Sequence, residues 1–251
     1  MNTSCSTLAV AYLFSLDVER PPSLFRTLQT MTDLHSGQRA VITAVIFDMG
    51  GVLIDLHSEA AGRELIERYG LPSDSFARLT RSCFESHPRS ITELAMIGEV
   101  GTPEYLEAFL RECSVKDPEG LRINRLSVIG RERANVFGVV EQLKQAGVAC
   151  CVLSNTIALH WEKLSLTREY PSLGLFDRVF ASHLIKCAKP EESSFSFVAD
   201  ALHIPMSECL LVDDTPLNVE RAKAAGWQAL LFSDAAELRR NVHSFLHARN
   251  I

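Results

Sequence analysis

The sequence predicts an α/β protein, a doubly wound parallel sheet carrying an all-helical insert, on three observations. Apolar runs without polar alternation at residues 44–47, 148–153 and 209–212 read as strands buried on both faces, as in a parallel sheet. From about residue 131 such runs alternate with segments of helical period, the rhythm of β-α-β units. Between residues 58 and 130 only helical spacing is found. The expected division is therefore an N-terminal extension over 1–39, a core from 40–57 and 131–251, and a helical insert over 58–130.

In chain order, residues 8–16 form a short apolar stretch with no positive charge before it, unlike a secretory signal. Asp17, Glu19 and Asp33 lie among Arg20, Arg26 and Arg39, unlike an acid-poor mitochondrial presequence. An extension packed loosely on the domain and partly disordered is expected, with a cytoplasmic location; an organellar targeting peptide in residues 1–39 is the alternative. Ala44–Phe47 is the first strand, Asp48 stands where it leaves the sheet, and Gly50-Gly51 allows a sharp turn. Helical spacing then places Ala60, Ala61, Leu65, Ile66 and Tyr69 in one helix ended by Gly70. A second helix carries Phe76, Leu79 and Cys83, with Ser73 or Asp74 as its cap; a third covers 90–97. A fourth starts with Thr102 as N-cap and Pro103 at its first position. The core resumes with a helix ending at Gly147, a strand over 148–153, a helical segment, and a strand over 176–182. A helix containing Phe195, Val198 and Leu202, the strand 209–212, a helix from Val219 to Gly226, the strand 228–232 and a closing helix over 234–247 follow.

Composition narrows the function. Hydrophobic content of 47% and charged content of 22% are those of an ordinary globular protein, and no apolar run has transmembrane length. A net charge of −6 without a basic cluster argues against nucleic acid as a partner. The seven cysteines are odd in number and lack C-x-x-C spacing, so reduced thiols and no zinc site are expected. No pattern bears on oligomeric state.

Three of the strands end in polar residues: Asp48, Ser154 and the pair Asp213-Asp214. In a parallel sheet these ends share one edge, where ligands bind. Lys189 lies in a loop on that edge. Each residue has a plainer explanation alone: Ser154-Asn155 and Asp213-Asp214 can cap helices, and a lysine before a proline is usually solvated. Together they define a chemistry. Clustered carboxylates need a cation among them. Hard oxygen ligands with open positions suit Mg²⁺, and a lysine and a hydroxyl beside it suit a transferring phosphoryl group. An aspartate can itself attack phosphorus. The expected partner is a small phosphorylated metabolite.

These residues resemble the haloacid dehalogenase-like (HAD) hydrolase superfamily. Phe47-Asp48-Met49-Gly50-Gly51-Val52-Leu53 is similar to its first motif, and Leu153-Ser154-Asn155-Thr156 to its second. Lys189-Pro190 is similar to the third, and Val212-Asp213-Asp214 with Asn218-Val219 to the fourth. Order and spacing match across 44–232, and the helical insert stands where a C1 cap belongs. The stretch from Ser154 through His160-Trp161 and Phe176-Asp177 to Lys189-Pro190 resembles the subgroup of epoxide-hydrolase N-terminal phosphatase domains and small sugar-phosphate phosphatases. The resemblance implies Asp48 as nucleophile and metal ligand, with the Gly50 carbonyl, Asp213 and Asp214 completing a Mg²⁺ site. It also implies Ser154 and Asn155 holding phosphate, and Lys189 neutralising the nucleophile and the phosphoryl oxygens.

Position 50 departs from the family pattern. Phosphatases of the superfamily usually carry a second aspartate there as general acid and base; this chain has Gly50. Three activities follow: a phosphatase using another acid (Asp55 or His57) or a good leaving group, a weakly active binding or regulatory relative, and a carbon–halogen hydrolase. The last needs no metal, against which Asp213-Asp214 speaks. Arg81, His87 and Arg89 are candidates for facing the substrate from the insert.

Overall fold

The computed structural model describes residues 42–248, apart from residues 86 and 167. The extension expected over 1–39 lies outside the described residues. Five parallel strands form the central sheet: β1 (Ala44–Phe47), β4 (Ala149–Ser154), β5 (Arg178–Ala181), β6 (Cys209–Asp213) and β7 (Gln228–Leu231), in the order β5-β4-β1-β6-β7. All of β1 is buried, and its side chains alternate between two cores. Val45 and Phe47 pack with Val139, Val140 and Leu143 of α6 (Ala134–Gln145) and with Leu238 and Val242 of α11 (Ala235–Ala248). Ala44 and Ile46 face the opposite layer with Phe195 and Val198 of α9 (Glu192–Leu202) and Ala222 of α10 (Pro216–Ala224). Burial on both faces is why these strands carry unbroken apolar runs.

Between β1 and α6 stand five helices, α1 (Ser58–Glu67), α2 (Ser73–Thr80), α3 (Ile91–Met96), α4 (Thr102–Glu112) and α5 (Pro118–Leu126). They share a core of their own around Leu65, Tyr69, Tyr105, Phe109 and Leu121. Two start signals are strong: Ser90 and Glu93 form a reciprocal capping box on α3, and Asp117 accepts from the Gly120 N–H on α5. Several sequence-based details need correction. The second helix ends at Thr80, short of Cys83, and its N-cap is Pro72 rather than Ser73 or Asp74. In α4 the cap is Gly101, so Thr102 already lies inside the helix and makes no side-chain cap.

A two-stranded antiparallel ribbon, β2 (Ile54–Leu56) and β3 (Ile129–Glu132), joins the two ends of the helical insert. The sequence reading has no strand there, because three or four residues are too few to establish a period. The remaining helices are α7 (Ala158–Leu166) and the short α8 (Ser182–Ile185). Among the described residues six cysteines are unpaired, and no helix is long and apolar enough to cross a membrane.

Candidate active site

Strand register assembles the site. Phe47 pairs with Val152 on one side and Val212 on the other, so Asp48 leaves β1 level with Asp213 at the end of β6. Its N–H continues the ladder to the Val212 carbonyl at 2.8 Å. Since β1 is central and the chain winds outward from it both ways, this is the point where the crossovers reverse, the usual crevice of an open α/β sheet. Carboxylate oxygens of Asp48, Asp213 and Asp214 lie within 4.8 Å of one another.

Lys189 is 1% exposed, not a solvated loop residue. Its ammonium donates to Asp48 Oδ1 at 2.7 Å and to Asp213 Oδ2 at 2.6 Å. Asn155 holds it there: the Asn155 amide donates to the Lys189 carbonyl at 2.7 Å and accepts from the Lys189 N–H at 2.9 Å. With both ends of its side chain engaged, Asn155 serves the site through Lys189. Asp213 is fully buried and accepts also from the Thr215 N–H at 2.9 Å and from the Asn218 amide at 3.0 and 3.1 Å. Asp214 is the freer carboxylate, with one long contact of 3.4 Å from Thr215.

Electrostatics follow from this crowding. Burial pushes the Asp48 carboxyl up to about 7; Lys189 opposes the rise, and the negative charges of Asp213 and Asp214 add to it. Burial works to lower Lys189, but Asp48 and Asp213 together hold it above its ordinary value. Asp214 is raised by burial and by Asp213. The cluster holds more negative charge than one ammonium balances, and it is built of hard oxygen donors. Both properties fit a divalent cation such as Mg²⁺.

Glycines 50 and 51 shape the loop. Gly51 has φ +80°, and a Cβ there would meet Asp214 Oδ2 at 1.8 Å, so only glycine lets this carboxylate close onto the loop. A Cβ at Gly50 would lie 2.8 Å from Leu56 Cδ1. The leucine of β2 thus fills the space beside the position where the family pattern has an acid.

Above these residues, between the sheet edge and the helical insert, is a cavity of about 340 Å³. Gly50, Ser154 and Asn155 line it from the sheet, and Phe76, Met96, Tyr105 and Arg125 from the insert. Of the other sequence candidates, Asp55 pairs with Arg133 at 2.6 Å, His57 is exposed and donates its backbone N–H to the Val128 carbonyl, and His87 is exposed. Arg81 bonds the Pro88 carbonyl and Glu93, while Arg89 pairs with Glu191 at 2.6 Å. His160 bonds the Arg125 carbonyl at 2.9 Å, and Lys186 donates to the Gly98 carbonyl at 2.8 Å. Leu56 and Arg125 are additions that no spacing announces, and the part of Asn218 becomes visible only through its bonds to Asp213.

The model of the haloacid dehalogenase-like hydrolases matches residues 42–226, which include every residue of this cluster. The chain belongs to that family. It is 26% identical to a phosphatase of Mycobacterium tuberculosis over 203 residues, 80% of this chain and 92% of that one. It is 26% identical to a sesquiterpene phosphatase of Aspergillus oryzae over 195 residues, 76% of this chain and 90% of that one. Among solved structures, a HAD family enzyme of Bacteroides thetaiotaomicron in complex with magnesium and inorganic phosphate shares the fold. Its TM-score is 0.67 at 19% identity, with 78% of this chain and 98% of that one covered.

Proposed function

We propose that this HAD-like hydrolase is a Mg²⁺-dependent phosphatase of small phosphomonoesters that works through an aspartyl-phosphate on Asp48. The observation that carries the reading is the buried ammonium of Lys189 held between Asp48 and Asp213, inside a three-carboxylate cluster next to Gly50 and Asn155, which line the cavity. The phosphatase relatives and the magnesium- and phosphate-bound structure of the same fold support it.

Asp48, the Gly50 carbonyl, Asp213 and Asp214 would hold the metal. When bound, Mg²⁺ supplies positive charge that keeps Asp48 ionised and offsets the charge of a phosphoryl group. Asp213, already accepting from Lys189, Thr215 and Asn218, chiefly orients the lysine, and Asp214 is the more available ligand. An Asp48 oxygen attacks phosphorus as the ester P–O bond breaks, and the leaving oxygen takes a proton from water. A water molecule then attacks the same phosphorus and gives up a proton to solvent, the aspartyl P–O bond breaks, inorganic phosphate is released and the Asp48 carboxylate is regenerated. Lys189 neutralises the nucleophile and the equatorial oxygens, Ser154 donates to the phosphate, and Asn155 keeps Lys189 in place. The helical insert acts as a cap that excludes bulk water and restricts substrates to small ones.

Gly50 offers no proton to the leaving oxygen, a deficit of ~10²–10⁴ in rate for poor leaving groups. One observation therefore favours a second reading, a binding or regulatory protein with little turnover: Leu56 stands against Gly50. The carbon–halogen reading has no use for the carboxylate cluster. An aryl phosphate, whose leaving group needs no acid, separates these readings. We expect Mg²⁺-stimulated phosphate release by the wild type and none by Asp48→Asn. No release by the wild type would favour the binding protein, and equal release by both would remove Asp48 from the mechanism. Metal-independent halide release from a 2-haloacid would restore the dehalogenase.

A further inference from the structure

Arg125, near the C-terminus of α5, lines the same cavity as Gly50, Ser154 and Asn155. It is 6% exposed, yet its Nε and Nη1 are buried without a hydrogen-bond partner. Its guanidinium sits 5.2 Å from the centroid of the Phe109 ring, and among the described residues no carboxylate pairs with it. An arginine cannot escape this situation by losing its proton. The ring face offsets only part of the cost of burying the charge. Burial, then the charge of Arg125, push the neighbouring His160 imidazole down to about 4, so His160 adds no second cation beside the guanidinium. Buried arginines are ordinarily matched by bidentate acceptors.

By the reading above, on which this inference rests, Ser154 marks the phosphate side of the cavity, and Ile54, Leu56, Phe76 and Leu164 give its lining an apolar part. We propose that Arg125 binds a second anionic group of the substrate. The substrate class is then a phosphomonoester with a short apolar body and a carboxylate or a second phosphate at its far end. Arg125 is the residue that selects it over a phosphate with a plain alkyl or hydroxylated tail. Such a substrate would bring to the buried guanidinium the negative charge that no carboxylate among the described residues supplies.

Binding measured by calorimetry with Mg²⁺ tests this without relying on turnover. The probes are an alkylphosphonate, the ω-carboxyalkylphosphonate and the alkylene bisphosphonate of equal chain length. The wild type should bind one anion-ended probe roughly 10- to 100-fold more tightly than the methyl-ended one. Which of the two wins distinguishes carboxylate from second phosphate. Arg125→Met should bring that probe down to the affinity of the methyl-ended one, and Arg125→Lys should keep part of the preference. Equal affinity of all three probes for the wild type overturns the proposal while leaving the phosphatase reading standing. So does an anion preference that Arg125→Met leaves intact. Binding of none of the three overturns both. Should Arg125→Met fail to fold by circular dichroism, Arg125→Lys takes its place, and an anion preference that it leaves at full strength overturns the proposal.

Discussion

Gly50 and Leu56 compete for one space, and the outcome sets which phosphates this site can turn over. An aspartate at position 50 would bring a Cβ within 2.8 Å of Leu56 Cδ1, but Leu56 is 45% exposed and its methyls can swing outward at some cost. Gly50→Asp alone is therefore expected to raise turnover of alkyl phosphates modestly. Gly50→Asp with Leu56→Ala should raise it further, toward the ~10²–10⁴ that a placed general acid contributes. Steady-state kcat on an alkyl phosphate reads this, and a double variant no faster than the single one would clear Leu56 of the blocking role. At Gly51 a Cβ would displace the Asp214 carboxylate from the loop, and φ of +80° strains any other residue. Gly51→Ala should weaken Mg²⁺ dependence markedly and lower stability by about 1 kcal/mol or more; Mg²⁺ titration of activity and a thermal melt measure the two effects. Asp48, Lys189 and Asp213 were legible in the sequence because each stands at a break, after an apolar run or before a proline. Leu56 and Arg125 were not, since only the folding of the insert onto the sheet brings them to the cavity.

At the scale of elements, the bond pair between Asn155 and Lys189 ties the end of β4 to the loop entering α9. This clamp fixes a lysine that would otherwise have a mobile four-carbon stem. Asn155→Ala should lower kcat by about tenfold or more with a smaller effect on KM, as expected when a charged group is misplaced rather than removed. A change confined to KM would instead mean that Asn155 binds substrate directly. The five central strands were readable because burial on both faces leaves no polar position in them. The β2–β3 ribbon was not: Ile54-Asp55-Leu56 has one buried residue, one half-buried and one exposed, too short a pattern to separate from a turn. Helix α5, which carries Arg125, was absorbed into the general helical character of the insert. Its Asp117 cap and Pro118 at the first turn are clear signals once its boundaries are seen.

Across the whole molecule, the insert and the sheet meet where α5 packs on α7, through the bond from His160 to the Arg125 carbonyl. Burial, then Arg125 and Lys163, hold His160 near 4 rather than its ordinary 6.5. The native state thus keeps a neutral ring that the unfolded chain would protonate below about 6.5. This contribution to stability is therefore complete above about 6.5 and is lost as pH falls toward 4. Each tenfold difference in proton affinity between the folded and unfolded chain is worth about 1.4 kcal/mol. Burial, then Lys186, lowers His183 to about 4 as well, in the same direction. Urea unfolding should show lower stability at pH 5 than at 7.5, and His160→Gln should flatten that dependence; an unchanged slope would contradict it. The overall architecture was legible as alternation of buried strands and helices around a helical insert, whereas the way the insert sits on the sheet is tertiary and left no local trace. The central claim is that Asp48 carries the phosphoryl group. Its most direct test is acid quench of the wild type during turnover of an aryl phosphate with Mg²⁺, followed by mass spectrometry of the peptide containing Asp48. A phosphoryl adduct on that residue, absent without Mg²⁺, is the predicted result. Sustained phosphate release with no adduct, and with Asp48→Asn equally active, would contradict it.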